Sequence, residues 1–282
     1  MNIHRRSFLR NASLATGLLL IEKPLRAAAG LAENAQIISG SSNALIIRHT
    51  NDLHGILRSR LYENGAGLLL DAGDFLDDNH SVAQQRATIQ AMNQAGYHAA
   101  TIGNRELSNG QEQLAALLPD MKFPLVNCNY RFTNATLTQH VRPYVIVYAG
   151  PYKVGITGAG PELKEVKGVT CLPAVETANQ TARHLKTVMG CDFVICLSHL
   201  GFVQKGDVAD NKTMATASSH INFVIGGHQD TLIPSTMVYR NELHQEVYLS
   251  QAGKDGRAMG QLTFHYNDER QAIGIAPHII LS

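Results

Sequence analysis

The stretch ALIIRHTNDLH, residues 44–54, joins an apolar run to a polar tail, and four later segments repeat this pattern. The run has the length and the Ile and Leu content of a buried strand. The later segments are GLLLDAGD (67–74), AATIGNRE (99–106), FVICLSHLG (193–201) and FVIGGHQD (223–230). Each tail delivers Asp, Asn or His where its strand would end. Since ligand sites of open α/β sheets form outside the carboxyl ends of strands, the five tails predict one shared site.

The pattern of apolar residues along the chain predicts alternating strands and helices. Apolar runs typical of strands lie near 44–49, 67–71, 98–102, 124–127, 144–148, 153–157, 193–197, 222–226, 235–239, 246–251, 258–265 and 273–280. Helical spacing is clearest at 174–189, and shorter helices are predicted at 84–94 and 111–118. Alternation followed by a strand-rich end predicts a layered α/β fold with a partly antiparallel region.

The N-terminus, MNIHRRSFLRNASLATGLLLIEKPLRAAAG, differs in character from the rest of the chain. The pair Arg5–Arg6 precedes a modest apolar stretch at 12–21 and a small-residue segment at 27–29. This order resembles a twin-arginine export signal, which is removed from the mature protein. We therefore predict a signal at 1–29, a linker at 30–43 and one domain at 44–282. The predicted partner is the twin-arginine export machinery, and the predicted location is the periplasm or another exported compartment.

Charge and cysteine content exclude several classes of protein. The formal net charge is +1, and removal of the basic N-terminal segment leaves an acidic chain. A nucleic-acid-binding surface would be strongly basic, so nucleic acid is not predicted as a partner. No apolar run reaches the roughly 18 residues that a membrane span needs. The four cysteines form no CxxC pair, which argues against a thiolate zinc site or a redox pair.

The polar tails offer the ligands of a catalytic metal site. Asp52 and His54 alternate, so on an extended segment both side chains would share a face and reach one metal. Asp74 ends the next run, where a carboxylate can bridge two cations. A donor set of nitrogen and oxygen without thiolates is typical of catalytic metal sites. Each residue alone has a commonplace interpretation, but the ordered set favours metal binding through Asp52, His54, Asp74, Asn104, His199 and His228.

The segments HTNDLHG, LLLDAGD, ATIGNRE, CLSHLG and IGGH resemble, in the same order, the motifs of calcineurin-like metallophosphoesterases. The branch that they resemble most is the bacterial exported 5′-nucleotidase and UDP-sugar hydrolase type, and the resemblance runs from about residue 44 to 266. It implies a four-layer αββα sandwich with mixed sheets and hydrolysis of small phosphate esters, nucleotides included. It also implies two divalent metal ions, with Zn, Mn and Fe as the candidates.

The resemblance assigns a ligand set to each metal. The first metal would take Asp52, His54 and the bridging Asp74. The second would take Asp74 together with Asn104, His199 and His228. A last ligand of the first metal matches Asp230, or Gln229 if one residue has been deleted, and both alternatives remain open at this point.

Besides the change at Gln229–Asp230 in the last motif, two departures from the family pattern affect the predicted chemistry. The histidine that serves the leaving group in the family is Arg105 here, and its aspartate partner matches Ser108. A guanidinium cannot donate a proton, but it can bind phosphoryl oxygens. Arg105 and Asn104 are therefore the predicted catalytic residues, which together with His199 would hold the phosphoryl oxygens. Residues 55–66 also form a shorter connection than in relatives, which leaves full occupancy of the first metal site open.

Three functions are compatible with these features, of which the least favoured is an exported hydrolase that uses another ester chemistry at the same metals. The first is an exported metal-dependent phosphoesterase in which metal-activated water attacks small phosphate esters. The alternative is a catalytically impaired or inactive descendant that binds metal, phosphate or a partner. The departures cluster at the predicted site, which is the observation behind the alternative.

Overall fold

The computed structural model describes residues 36–38, 40–41, 43–63, 65–269 and 271–282. The predicted signal at 1–29 therefore lies outside the described residues, as does the first part of the predicted linker. Residues 36–38 within that linker form a short edge strand, which pairs in parallel with residues 147–149. Within the described part of the chain, no helix is long and apolar enough to cross a membrane.

The strands alternate with helices over most of the chain, as the apolar pattern predicts. In chain order the strands are β1 (Gln36–Ile38), β2 (Ala44–Thr50), β3 (Leu68–Asp71), β4 (Ala99–Thr101), β5 (Leu125–Val126), β6 (Tyr130–Phe132), β7 (Tyr144–Ala149), β8 (Tyr152–Ala159), β9 (Val169–Cys171), β10 (Phe193–Ser198), β11 (Phe223–Gly226), β12 (Met237–Arg240), β13 (Glu246–Ser250), β14 (Ala258–Tyr266) and β15 (Ala272–Leu281). The α-helices are α1 (Val82–Ala95), α2 (Arg105–Ser108), α3 (Gln111–Leu117), α4 (Ala135–His140), α5 (Ala174–Thr187) and α6 (Asn211–Thr216).

Two mixed sheets form the centre of the domain. One runs β15-β14-β2-β3-β4-β5, and the other runs β1-β7-β8-β10-β11-β13-β12. Strands β2, β3, β4 and β5 are parallel, as are β8, β10, β11 and β13. Strands β14 and β15 add the antiparallel region expected at the end of the chain.

Alternation along a single buried strand shows how the layers are built. In β10 every residue is buried, because both faces of its sheet are covered. Ile195 and Leu197 point into the core between the two sheets, whereas Val194 and Cys196 belong to the core beneath α5 and α6. The other sheet has its own outer core beneath α1 and α3. The predicted four-layer αββα sandwich is confirmed.

The connections explain where the helices begin and end. Helix α1 begins at a capping box in which Ser81 and Gln84 bond each other's backbone, and it ends at Gly96 in the left-handed conformation.

The crossover from β2 to β3, residues 51–67, holds only a 3-10 helix at Ser59–Tyr62 among its described residues. This short crossover leaves the tail of β2 free to form part of the site.

Candidate metal centre

The first predicted ligand pair lies in a turn that follows β2. Asp52 and His54 have φ values of 50° and 47°, so the expectation of an extended segment is wrong here. Backbone hydrogen bonds hold the turn against the next tail, from Asp52 N to Gly73 O at 2.9 Å and from His54 N to Asp74 O at 3.0 Å. The two side chains converge with Asp74, and one donor atom from each of the three lies within 4.8 Å of the others.

Strained backbone is concentrated at the predicted ligands. Asp74 and His228 also have positive φ values, of 55° and 78°. Such conformations cost roughly 1–3 kcal/mol each for residues other than glycine, and they persist where the surrounding structure enforces them. Strain at four predicted ligands is typical of a functional site, because each side chain is held in one direction.

A buried carboxylate holds the loop that carries Asp74. Glu106 accepts hydrogen bonds from the backbone N–H of Asp74 at 3.0 Å, of Gly103 at 2.8 Å and of Leu76 at 2.9 Å. Asp74 itself accepts a bond from the backbone N–H of Arg105 at 2.8 Å through Oδ1. Its Oδ2 therefore remains directed toward the centre of the site.

The second sheet supplies the imidazoles. His199 follows β10 and has its Nδ1 2.7 Å from the Ala72 carbonyl oxygen, while its Nε2 lies 3.2 Å from Asp74 Oδ2. His228 follows β11, and its Nδ1 lies 2.8 Å from Asn104 Oδ1. The two rings meet edge to face with centroids 5.2 Å apart. The structure therefore brings together tails from both sheets.

The charge balance of this cluster calls for a cation. Burial disfavours the charged form of His199, but Asp74 and Asp52 outweigh that effect and raise its pKa to about 10. Burial raises the pKa of Asp52 to about 6. His199 Nε2 is buried and faces both carboxylates, Asp74 Oδ2 at 3.2 Å and Asp52 Oδ1 at 4.0 Å. A divalent cation would take the place of the imidazolium proton, since metal binding requires neutral imidazole, and the nitrogen and oxygen donors fit such an ion.

Arg105 lies beside the cluster. Its Nε is 3.7 Å from Asp74 Oδ2, and its Nη1 donates to Asp78 Oδ1 at 2.8 Å. Ser108 donates its hydroxyl to the backbone carbonyl of Asn104, the residue that precedes α2, and does not substitute for a carboxylate. The partner of Arg105 thus comes from another loop.

Gln229 and Asp230, the two candidates for the last ligand of the first metal, have different bonding partners. Gln229 accepts a hydrogen bond from Phe202 N at 2.9 Å through Oε1, and its amide donates to Val203 O at 3.3 Å. Asp230 is about half exposed and forms an ion pair with Lys254. The oxygen of Gln229 is thus bound to backbone, whereas the carboxylate of Asp230 is paired with a partly exposed ammonium.

Two further residues support the ligands, and the sequence did not predict them. Asp255 Oδ1 lies 3.0 Å from His54 Nδ1, and its backbone N–H donates to the Asp52 carbonyl at 2.9 Å. Asn51 donates to Asp52 Oδ2 at 2.6 Å and to the Gly253 carbonyl at 2.6 Å. Asn51 could have been suspected from its place beside Asp52. Asp255 lies in a turn without any ligand-like spacing, so no sequence signal marks it.

Comparison with known proteins assigns the class. The family model of the calcineurin-like phosphoesterases matches residues 46–231. The chain belongs to this family. The snake venom 5′-nucleotidase of Gloydius brevicauda is 27% identical over 86% of this chain and 49% of its own length. The trifunctional nucleotide phosphoesterase YfkN of Bacillus subtilis is 29% identical over 64% of this chain and 14% of its own.

Solved structures show the same fold. A 5′-nucleotidase precursor from Thermus thermophilus matches with a TM-score of 0.73 and 23% identity, over 84% of this chain and 54% of that one. The calcineurin-like phosphoesterase YfkN of Bacillus subtilis matches with a TM-score of 0.67 and 22% identity, over 85% and 91%. The chain spans about half the length of several curated 5′-nucleotidase relatives that it matches.

Proposed function

We propose that this protein is an exported, metal-dependent phosphoesterase that hydrolyses small phosphate esters, nucleotides included. The observation that supports this most directly is the convergence of Asp52, His54 and Asp74 donors within 4.8 Å. Relatives described as 5′-nucleotidases and nucleotide phosphoesterases support the substrate class.

The proposed ligands divide between two metals. Asp52, His54, Asp74 and Asp230 would hold the first, with Asp230 preferred to Gln229 because the Gln229 oxygen already accepts the Phe202 N–H. The second would be held by Asp74, Asn104, His199 and His228. Paired divalent metals about 3.5–4 Å apart polarise a phosphoryl oxygen and lower the pKa of water.

The protein's own groups would orient the ester. Arg105 and Asn104 would donate hydrogen bonds to phosphoryl oxygens, since a guanidinium offers several N–H donors. Arg105 cannot protonate a departing alkoxide. A missing general acid typically costs 10²–10⁴-fold in rate, so we expect aryl phosphates to react faster than alkyl phosphates.

The test is turnover of an aryl phosphate and of 5′-AMP by the purified protein with Mn²⁺ or Zn²⁺, beside an Asp74→Asn variant. Hydrolysis that chelation and the variant both abolish would support the proposal. Equal rates on aryl and alkyl phosphates would refute the expectation that the protein lacks a general acid for the leaving group. If the folded wild type hydrolyses no faster than the Asp74→Asn variant, the alternative is favoured, in which the protein is a descendant that binds metal or phosphate without turnover. The Asp230–Lys254 ion pair is the observation that favours this alternative.

Export is a separate part of the proposal. The motif at Arg5–Arg6 supports the twin-arginine route to the periplasm. Replacement of both arginines by lysine should retain a full-length fusion in the cytoplasm. A fusion that is exported equally well after that change would refute the route.

A further inference from the structure

The guanidinium of Arg105 is held by two carboxylates from the loop that follows Asp74. Nη1 donates to Asp78 Oδ1 at 2.8 Å and lies 3.6 Å from Asp77 Oδ1, while Nε lies 3.7 Å from Asp74 Oδ2. About a third of the Arg105 side chain is exposed. One edge of the group is therefore fixed by the protein, and the group stays accessible beside the proposed metal centre.

The two carboxylates are themselves part of a fixed loop. Asn109 donates to the Asp78 carbonyl at 2.8 Å, and Gln85 donates to the Asp77 carbonyl at 2.9 Å. The Asn79 N–H donates to Asp77 Oδ1 at 2.9 Å. The bonds from Gln85 in α1 and from Asn109 in the turn after α2 tie the loop to elements on both sides.

We propose that Asp78, assisted by Asp77, is a positioning residue that holds the Arg105 guanidinium against the phosphoryl group of the substrate. The inference deepens the proposed function and rests on it. Asp78 would take the place of the carboxylate that Ser108 does not provide. The pair of Arg105 and Asp78 would bind the anion instead of donating a proton.

The charges explain why the guanidinium must be held. A phosphate dianion beside Asp74, Asp77 and Asp78 would be repelled unless a cation lay between them. A free arginine side chain samples many rotamers, and fixing it beforehand removes that entropy cost from substrate binding. The guanidinium keeps N–H donors beyond those that face the carboxylates, because it carries five.

The test measures phosphate binding separately from turnover. Inorganic phosphate is titrated by calorimetry into the full chain with Mn²⁺, for wild type and for Asp78→Asn, Arg105→Ala and the double variant. Asp120→Asn is the matched control, since its carboxylate pairs with Arg86 Nε at 3.3 Å away from the site. Where turnover is measurable, KM and kcat are determined for the same proteins.

We expect Asp78→Asn to weaken phosphate binding and raise KM roughly tenfold, the factor typical of a lost charge-assisted hydrogen bond, with kcat nearly unchanged. Arg105→Ala should weaken binding at least as much, and the double variant no further. Asp78→Glu, which keeps the charge, should recover part of the affinity, and Asp120→Asn should match wild type.

Additive losses in the double variant, or an Asp78→Asn affinity equal to that of Asp120→Asn, would overturn the inference. Absence of phosphate binding in the wild type would overturn it as well. A wild type that binds phosphate through Arg105 and Asp78 but hydrolyses no ester would refute the proposed function and leave the positioning role standing. Asp77→Asn provides a second variant if Asp78→Asn does not fold.

Discussion

The imidazole of His54 is oriented by Asp255, whose Oδ1 lies 3.0 Å from His54 Nδ1 across 201 positions of sequence. A proton on Nδ1 shared with the carboxylate leaves the Nε2 lone pair free for a metal. Carboxylates that hold metal-binding histidines fix the tautomer and raise the basicity of the ligand. Asp255 therefore links the turn after β13 to the proposed first metal.

Asp255→Asn should weaken metal binding without unfolding the protein. The variant keeps the size of the side chain but loses its charge, and comparable changes cost about 10–100-fold in metal affinity. Calorimetric titration of Mn²⁺ into the full chain measures the effect. Asp207→Asn, on an exposed loop, is the control and should bind as wild type does. Equal affinities for the two variants would show that Asp255 does not support a ligand.

Gly103→Ala should damage the centre directly. A Cβ at Gly103 would lie 2.2 Å from Asp74 Oδ1 and 2.7 Å from His199 Nε2, so both side chains would have to move. Overpacking of this kind costs typically 1–3 kcal/mol. We expect a lower free energy of unfolding and a smaller gain in stability when Mn²⁺ is added.

Gly274→Ala is the matched control for that experiment. A Cβ at Gly274 meets no atom within 4 Å, and the residue lies exposed in β15. Its effect on stability should stay within about 0.5 kcal/mol. If Gly103→Ala has the same free energy of unfolding as this control in urea, with and without Mn²⁺, then Asp74 and His199 do not pack tightly against Gly103.

Substitutions of Asp230 and of Lys254 should change the affinity for metal in opposite directions. The carboxylate of Asp230 must leave the Lys254 ammonium before it can bind the first metal. Lys254→Met should therefore raise the affinity for Mn²⁺, and Asp230→Asn should lower it. Gln229→Ala serves as the comparison, and its stoichiometry should equal that of wild type. Loss of one bound metal in Gln229→Ala, with none in Asp230→Asn, would assign the ligand to Gln229 instead.

His49 should make the stability of the protein depend on pH. Burial lowers its pKa to about 3, and its Nε2 lies 3.0 Å from Ser250 Oγ. The His49 ring packs directly on Gly260, where a Cβ would lie 2.1 Å from Nε2. The ring therefore has no room to move away when it gains a proton. Between pH 6.5 and about 3 the unfolded chain binds a proton that the folded protein cannot accept. Stability contributed by neutral His49 is therefore present above this window and lost as the pH falls through it.

The His49→Gln variant isolates this contribution. From about pH 5.5 downward, the unfolding free energy of wild type should fall more steeply than that of the variant, by up to about 1.4 kcal/mol per pH unit. Urea unfolding at about pH 6.5 and about pH 5.0, with a chelator present, measures the difference. His140→Gln, at an exposed position, should retain the wild-type slope. Identical slopes for all three proteins would mean that His49 can be protonated in the folded state.

Much of the fold was predictable from local pattern. The apolar runs that became β3, β10 and β11 are buried throughout, and only a strand covered on both faces buries every residue. The polar residues that follow the apolar runs were visible in the sequence, but their burial was not, since Asp52, Asp74 and His199 are buried as well. The extended geometry expected for Asp52 and His54 was wrong, since hydrogen bonds to the neighbouring Asp74 loop impose positive φ values.

The sequence by itself determined the layered α/β architecture and the residue types that gather at its strand ends, since burial and strand length act locally along the chain. Only the tertiary structure decided which distant groups support them. Asp255 reaches His54, and Asp78 reaches Arg105, through contacts between separate loops. No spacing in the sequence encodes such contacts, because packing of the two sheets and their loops sets the distances between them.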